Sequence, residues 1–142
     1  MSTRKQLAGL LRDPYIAINE RVDARLVEHG HTHVRPAHSN VFIWLDDAGT
    51  RVSVLAERAR MTKQSMGELV AHLESHGYVE RVPDPTDRRA KLVRATASGH
   101  ALYPIARAAI AEVEAGWARH LGDAKMRRLR ELLEELDAAP TT

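Results

Sequence analysis

Two short stretches carry residue types whose spacing could do chemistry on a partner: Thr62-Lys63-Gln64-Ser65 with Glu68 and His72, and Asp87-Arg88-Arg89 with Lys91. Lys63 can donate to a guanine edge or a phosphate, Gln64 can pair bidentately with adenine, and Ser65 can bond backbone or base. Glu68 is repelled by phosphate unless it accepts from cytosine N4. Arg88 and Arg89 suit a nucleic-acid contact, or else a local ion pair with Asp87. Arg88 is assigned outward and Arg89 to Asp87, with Lys91 and Arg94 as phosphate clamps or solvated strand charges. Arg35, Ser39 and the start of the Pro36 helix are weaker phosphate candidates. Alone, the polar Thr62 face reads as a solvated helix surface; beside a basic hairpin it reads as a nucleic-acid contact.

Other chemistries find less. His29, His31 and His33 with His38 nearby invite a metal reading, since neutral imidazole is a common zinc ligand. The run lies in a loop, without cysteine or a helical His partner, so solvated loop histidines and no metal are expected. His72 and His76 have i, i+4 spacing but flank the polar face of their helix. No Gly-x-Ser-x-Gly, His-Glu-x-x-His, phosphate-loop or paired-carboxylate pattern occurs, so no catalytic residue, enzymatic activity or cofactor is expected.

The elements that must position these residues follow from periodicity. Leu7, Leu11, Tyr15, Ile18, Val22 and Leu26 step by three or four, predicting an amphipathic helix that ends at Gly30. Pro36 opens a second helix with Val41, Phe42 and Leu45 on its apolar face. Ser53 is read as the cap of a short helix, Val54 to Arg60. Thr62 caps another, on which Met66, Leu69, Val70 and Leu73 form the buried stripe and which Gly77 stops. Two helices joined by a Met61-centred turn read as a helix-turn-helix. Tyr78 to Val82 and Lys91 to Ala95 are β-prone around a proline- and aspartate-rich turn, predicting a hairpin with a protruding basic tip. Thr96 caps a long helix through Leu121, kinked at Pro104. A last helix carries Met126, Leu129, Leu132, Leu133 and Leu136, and both chain ends, Met1 to Lys5 and Ala138 to Thr142, look frayed.

Composition sets the bounds. The 142 residues carry 21 Lys and Arg against 19 Asp and Glu, with 44% hydrophobic residues and no cysteine. One compact unit, with or without an oligomerisation extension, fits that size. Disulfides, thiolate metal sites and thiol redox sensing are excluded. Val41 to Leu45, the longest apolar run, cannot cross a bilayer, and Arg12-Asp13-Pro14 ends any signal-peptide core, so a soluble cytoplasmic protein with no membrane partner is expected. The mild net charge of +2 is unevenly placed: residues 51–94 hold nine basic against six acidic side chains.

Gly77-Tyr78-Val79-Glu80-Arg81, then Asp84-Pro85-Thr86-Asp87-Arg88-Arg89-Ala90-Lys91-Leu92-Val93-Arg94-Ala95-Thr96 and Gly99, resemble the multiple-antibiotic-resistance regulator (MarR) family of bacterial transcription factors. Leu55-Ala56-Glu57-Arg58 and the Thr62 helix match its helix-turn-helix, and the resemblance runs over about residues 7 to 138. It implies a mainly α fold with a small β wing (α+β): a winged helix-turn-helix over 35–96, flanked by dimerisation helices over 7–29 and 97–138. It further implies a homodimer joined through Leu7, Leu11, Leu121, Leu129, Leu133 and Leu136, because these apolar stripes exceed what one winged helix can bury. The implied partner is a pseudo-palindromic double-stranded DNA operator, bound by a repressor at the nucleoid. The implied effector is a small aromatic or phenolic molecule, in a crevice lined by Tyr15, Asn19, His38, Phe42 and Tyr103. The family position held by Glu68 is often basic, so no relative's operator sequence transfers. The alternatives are a metal-responsive regulator using the loop histidines, and a winged helix that binds protein without DNA affinity.

Overall fold

The computed structural model describes residues 4–140; of the expected frayed ends, 1–3 and 141–142 lie outside the described residues. Helix α1 (Leu7–Glu28) closes at Gly30, whose φ of +87° suits the left-handed region. The Pro36 helix is shorter than expected: one 3₁₀ turn (Pro36–His38) runs into α2 (Ser39–Phe42). Helix α3 (Val52–Ala59) starts two residues earlier than predicted. Its N-cap is Arg51, without a side-chain cap bond, so Ser53 lies inside the helix and does not cap it. The expected cap at Thr62 is present, its hydroxyl oxygen accepting from the Ser65 N–H at 3.1 Å, and α4 (Lys63–Ser75) follows. Arg60, between α3 and α4, takes a left-handed φ of 55° that turns the chain sharply.

The hairpin is longer and its tip tighter than the sequence predicts. β1 (Val79–Asp84) and β2 (Asp87–Ala95) pair antiparallel from Val79 opposite Ala95 to Asp84 opposite Asp87, leaving Pro85 and Thr86 as the turn. Asp84 makes that turn, accepting from both the N–H and the hydroxyl of Thr86 at 2.9 and 2.7 Å. The ladder runs as far as Pro83 opposite Lys91, on a strand with only one neighbour, and its register then shifts before Asp84, so Arg88, Arg89 and Ala90 lie in an irregularity of β2. Thr50 bridges Val93 on the other side of β2, in reciprocal bonds of 2.8 and 2.9 Å, which ties the wing to the segment before α3.

Thr96 caps α5 (Ala97–His100) through the Gly99 N–H. The long helix predicted from Thr96 is divided at Ala101, and α6 (Leu102–Leu121) begins there. Pro104 falls in its first turn, where the missing N–H leaves the His100 carbonyl without its helical partner. Helix α7 (Asp123–Asp137) follows Gly122 and buries none of its side chains. The core is a single cluster centred on Val41 and, from the middle third, Leu55, Met66, Val70, Leu73, Val79 and Val93. Helix α1 adds Leu26 and α6 adds Leu102 to it. Elsewhere the two long helices pack on each other, joined by Arg21 and Arg25 to Glu112 at 3.0 and 2.9 Å.

Candidate nucleic-acid interface and the adjoining pocket

Burial of Met66, Leu69, Val70 and Leu73 fixes the rotation of α4 and turns Lys63, Gln64, Glu68, Ala71 and Ser75 to solvent. Thr62 and Ser65, both predicted contacts, are engaged with each other: the Thr62 hydroxyl donates to Ser65 Oγ at 2.9 Å while capping the helix. Lys63 is exposed and makes no ion pair among the described residues. Gly67, half-buried on the Lys63 flank, has no atom within 4 Å of where a Cβ would stand.

On the wing, Arg88, Arg89 and Lys91 are exposed and free of ion pairs among the described residues. The expected Arg89–Asp87 side-chain pair is replaced: Asp87 accepts from the Arg89 backbone N–H at 3.0 Å, and its carboxylate lies 3.9 Å from Arg51. Arg94 is taken by Glu80 at 2.6 Å. The residue that sequence reading missed is Asp84, only 6% exposed and joined to Arg51 at 2.6 Å. The two Thr86 donors, then the Arg51 guanidinium, hold its carboxyl down to about 2. This pair fastens the wing tip to the start of α3; an Asp-Pro-Thr-Asp turn with an arginine at the helix start was the available signal.

The predicted DNA contacts therefore divide. Lys63, Gln64 and Glu68 share one open helix face, and Arg88, Arg89 and Lys91 share one wing. Arg35 and Ser39 are placed elsewhere: both line a pocket of about 260 Å³ between α1, the Val34–Ile43 segment and α6. Tyr15, Asn19, Phe42 and Tyr103 line it as expected, joined by Leu26, Ile110 and Arg107. The Tyr103 hydroxyl donates to the Phe42 carbonyl at 2.9 Å, and the two rings meet edge to face. Asp23, also on the wall, has an oxygen, Oδ1, buried without a hydrogen-bond partner.

His38, expected in the pocket, is not among its lining residues. It is buried against His72 with parallel rings 4.6 Å apart, while His33 stacks on His76 at 3.9 Å. His72, expected to face DNA, donates from Nε2 to the His33 carbonyl at 2.6 Å. His31 bonds the Tyr78 hydroxyl at 2.8 Å. His29 and His33 are exposed, as expected of the loop histidines, whereas His31 is half-buried and His38 buried. Parallel rings hold their lone pairs in separate planes, and among the described residues no three metal-ligating side chains converge.

A helix-turn-helix, a two-stranded wing tied to it, and long helices at both ends define a winged-helix chain with flanking helices. The MarR family model matches residues 34–90, which hold the helix-turn-helix and most of the wing. The transcriptional regulator HosA of Escherichia coli O111:H- is 32% identical over 72 residues, 51% of this chain and 53% of that protein. The match spans about half the length of the curated relatives. The structure of the Mycobacterium tuberculosis MarR family protein Rv2887 in complex with salicylic acid is similar at a TM-score of 0.68 and 25% identity, over 96% of this chain and 99% of that one. That of CouR from Rhodococcus jostii RHA1, bound to p-coumaroyl-CoA, is similar at 0.72 and 24%, over 97% and 96%. Residues 34–90 are thus similar to the MarR family of transcriptional regulators, and the whole chain shares the fold of the solved MarR structures. No helix among the described residues is long and apolar enough to cross a membrane.

Proposed function

We propose that the protein is a homodimeric, ligand-responsive DNA-binding repressor. The observation that carries this reading is the pairing of an open polar face on α4 with unpaired cations on a wing whose position is fixed by Asp84–Arg51 and Thr50–Val93. Lys63 and Gln64 meet base edges and phosphate in a major groove, and Arg88 and Arg89 reach the neighbouring minor groove. Glu68 either accepts from a cytosine or rejects other bases, making it a specificity residue.

The dimer is supported by the outer helices. Leu7 is 66% and Leu136 57% exposed, and Leu11, Leu121, Leu129, Leu132 and Leu133 are also uncovered. A 15-residue helix with no buried side chain is marginal alone in water, so α7 gains its stability from a second copy. Two-fold symmetry then places two recognition helices about 34–36 Å apart, on a pseudo-palindromic site. The pocket receives an aromatic or phenolic effector: its wall is apolar, Arg35 and Arg107 offer charge, and a phenolic O–H supplies the donor that Asp23 lacks. The salicylic acid and p-coumaroyl-CoA bound by Rv2887 and CouR support that class. An effector that prefers another helix spacing lowers DNA affinity by its differential affinity for the two states.

The test is selection of duplexes from a random-sequence pool at low salt, then affinity against salt concentration. A two-fold symmetric consensus, with affinity falling steeply as salt rises, is expected. Failure to enrich any duplex leaves the protein-interaction reading in its place.

A further inference from the structure

Residues 33–38 connect two parts of the molecule that the function treats separately. Val34, Arg35 and Pro36 form pocket wall, while His33 and His38, at the two ends of the same segment, stack on His76 and His72 of α4. The 2.6 Å bond from His72 to the His33 carbonyl adds a third fastening, and the His72 and His76 rings lie 4.7 Å apart. Four imidazoles thus form one ladder between the pocket wall and the helix that offers Lys63 and Gln64.

We propose that this ladder is a pH-sensitive clamp that holds the pocket wall on the recognition helix when its imidazoles are neutral and releases it on acidification. The inference rests on the DNA-binding reading above for its output, though not for the clamp itself. The geometry disfavours charge on His38 and on both rings of either stack. His38 Nδ1 accepts the Arg35 backbone N–H at 2.8 Å, and a proton on that nitrogen removes the acceptor. Face-to-face stacking at 3.9 and 4.6 Å puts any two imidazolium charges in direct repulsion.

The surroundings do not offset such charge. Arg35 stands beside His38 as a further cation. Arg25 and Glu28 at the end of α1 pair with each other, Glu74 of α4 with Arg81, and Glu80 of β1 with Arg94. Glu68 shares the helix, and His31 and Tyr78 bond each other alongside. Among the described residues no carboxylate bonds or ion-pairs with any of the four rings. Burial, then His72, holds His38 below 6.5; desolvation, then His33 and His72, does the same for His76. A histidine lowered in the folded state costs stability as pH falls below its unfolded value, so release belongs below about 6.5.

The sign separates this clamp from ordinary electrostatics. Imidazolium charge near DNA raises affinity by attracting phosphate, whereas release of the clamp lowers it. The experiment compares the wild-type protein with His38→Asn, whose amide oxygen can keep the Arg35 bond without titrating, and with His76→Gln. Imidazole resonances, melting temperature and retention of the duplex selected at pH 8 are followed from pH 8 to 5.5 at constant ionic strength. The expected result is His38 and His76 titrating below 6.5, with melting temperature falling and affinity falling about tenfold, and a much smaller fall in each variant. Wild-type affinity that stays level or rises on acidification overturns the proposal, as does an equal loss in the variants. Should His38→Asn fail to fold, His76→Gln carries the comparison. If no duplex is selected at pH 8, the DNA-binding reading fails; resonances and melting then decide the clamp, which falls if both match ordinary independent histidines.

Discussion

Two glycines that each sit in a helix should respond to alanine with opposite signs. Gly99 lies in α5, and a Cβ there would stand 2.1 Å from the Tyr78 carbonyl oxygen and 3.2 Å from Ala95 Cβ. The obstacle is backbone, and that oxygen already accepts the Thr96 N–H at 3.1 Å. Restoring an ordinary contact needs a separation of about 1 Å between α5 and the start of β1, and because the obstacle is backbone the strain falls in the upper part of the overpacking range, about 2–3 kcal/mol. Helix propensity returns up to about 1 kcal/mol, so Gly99→Ala should destabilise by about 1–2 kcal/mol net. Gly67 in α4 has open space at the same position, so Gly67→Ala should stabilise by about 1 kcal/mol from propensity alone. With roughly 2–4 °C per kcal/mol at this size, the two melting temperatures should separate by about 4–12 °C around wild type. Thermal unfolding at one fixed protein concentration reads both. A Gly99→Ala protein at least as stable as wild type would refute the close approach of α5 to β1. In the proposed function Gly67→Ala should nevertheless weaken DNA binding, because the added methyl stands where backbone approaches the groove.

Arg88→Ala should lower duplex affinity about equally across sequences and reduce the salt slope by about one, whereas Gln64→Ala should relax preference at one base pair by about 1–3 kcal/mol. Titrations at several salt concentrations distinguish the two; an unchanged slope in Arg88→Ala removes the wing from the interface. Asp84→Asn should flatten the acid limb of stability. Asp84 is lowered from 3.8 to about 2, so its contribution is complete above its unfolded value and is lost as pH falls toward 2. Melting temperatures from pH 6 to 2 check this, and parallel curves for variant and wild type count against a structural Asp84–Arg51 pair. Leu133→Asp should place a charge in the α7 stripe and yield the 15.9 kDa monomer in sedimentation, with loss of tight duplex binding. A Leu133→Asp dimer would move the interface elsewhere.

The elements with strong periodicity or a capping residue were legible from composition and spacing. α1, the Thr62 cap, the stripe of α4 and the Thr96 cap are all decided within one helical turn of sequence. The misread features depend on distant partners. Ser53 looks like a cap, but Thr50 is held by Val93, which sets the chain direction so that α3 begins at Val52. The hairpin tip looks like an eight-residue loop because proline and aspartate dominate it. Asp84 instead uses its carboxylate to close a two-residue turn and to bind Arg51, 33 residues earlier. Tyr15, Asn19, Phe42 and Tyr103, named from the family resemblance, do line a pocket. His38 does not, since its stacking partner is 34 positions away and nothing local distinguishes it from a pocket residue.

Ion pairing also explains how a nearly neutral chain can present a basic surface. Residues 51–94 hold nine cations and six acids, a modest excess if all are counted alike. The structure does not treat them alike: Glu74, Glu80 and Asp84 are taken by Arg81, Arg94 and Arg51, and Arg58 is taken by Asp46 from outside the segment. Among the described residues, Arg60, Lys63, Arg88, Arg89 and Lys91 keep no acidic partner. They lie at the turn before α4, at its first residue, and along the wing. Paired charges contribute little field beyond a Debye length, about 8 Å in physiological salt, while unpaired ones on a common surface add. Glu74, Glu80 and Asp84 are therefore spent on pairs within the wing or between it and its neighbours, while Glu57 and Glu68 keep no cation among the described residues. In the proposed function the unpaired cations are those that meet the DNA backbone.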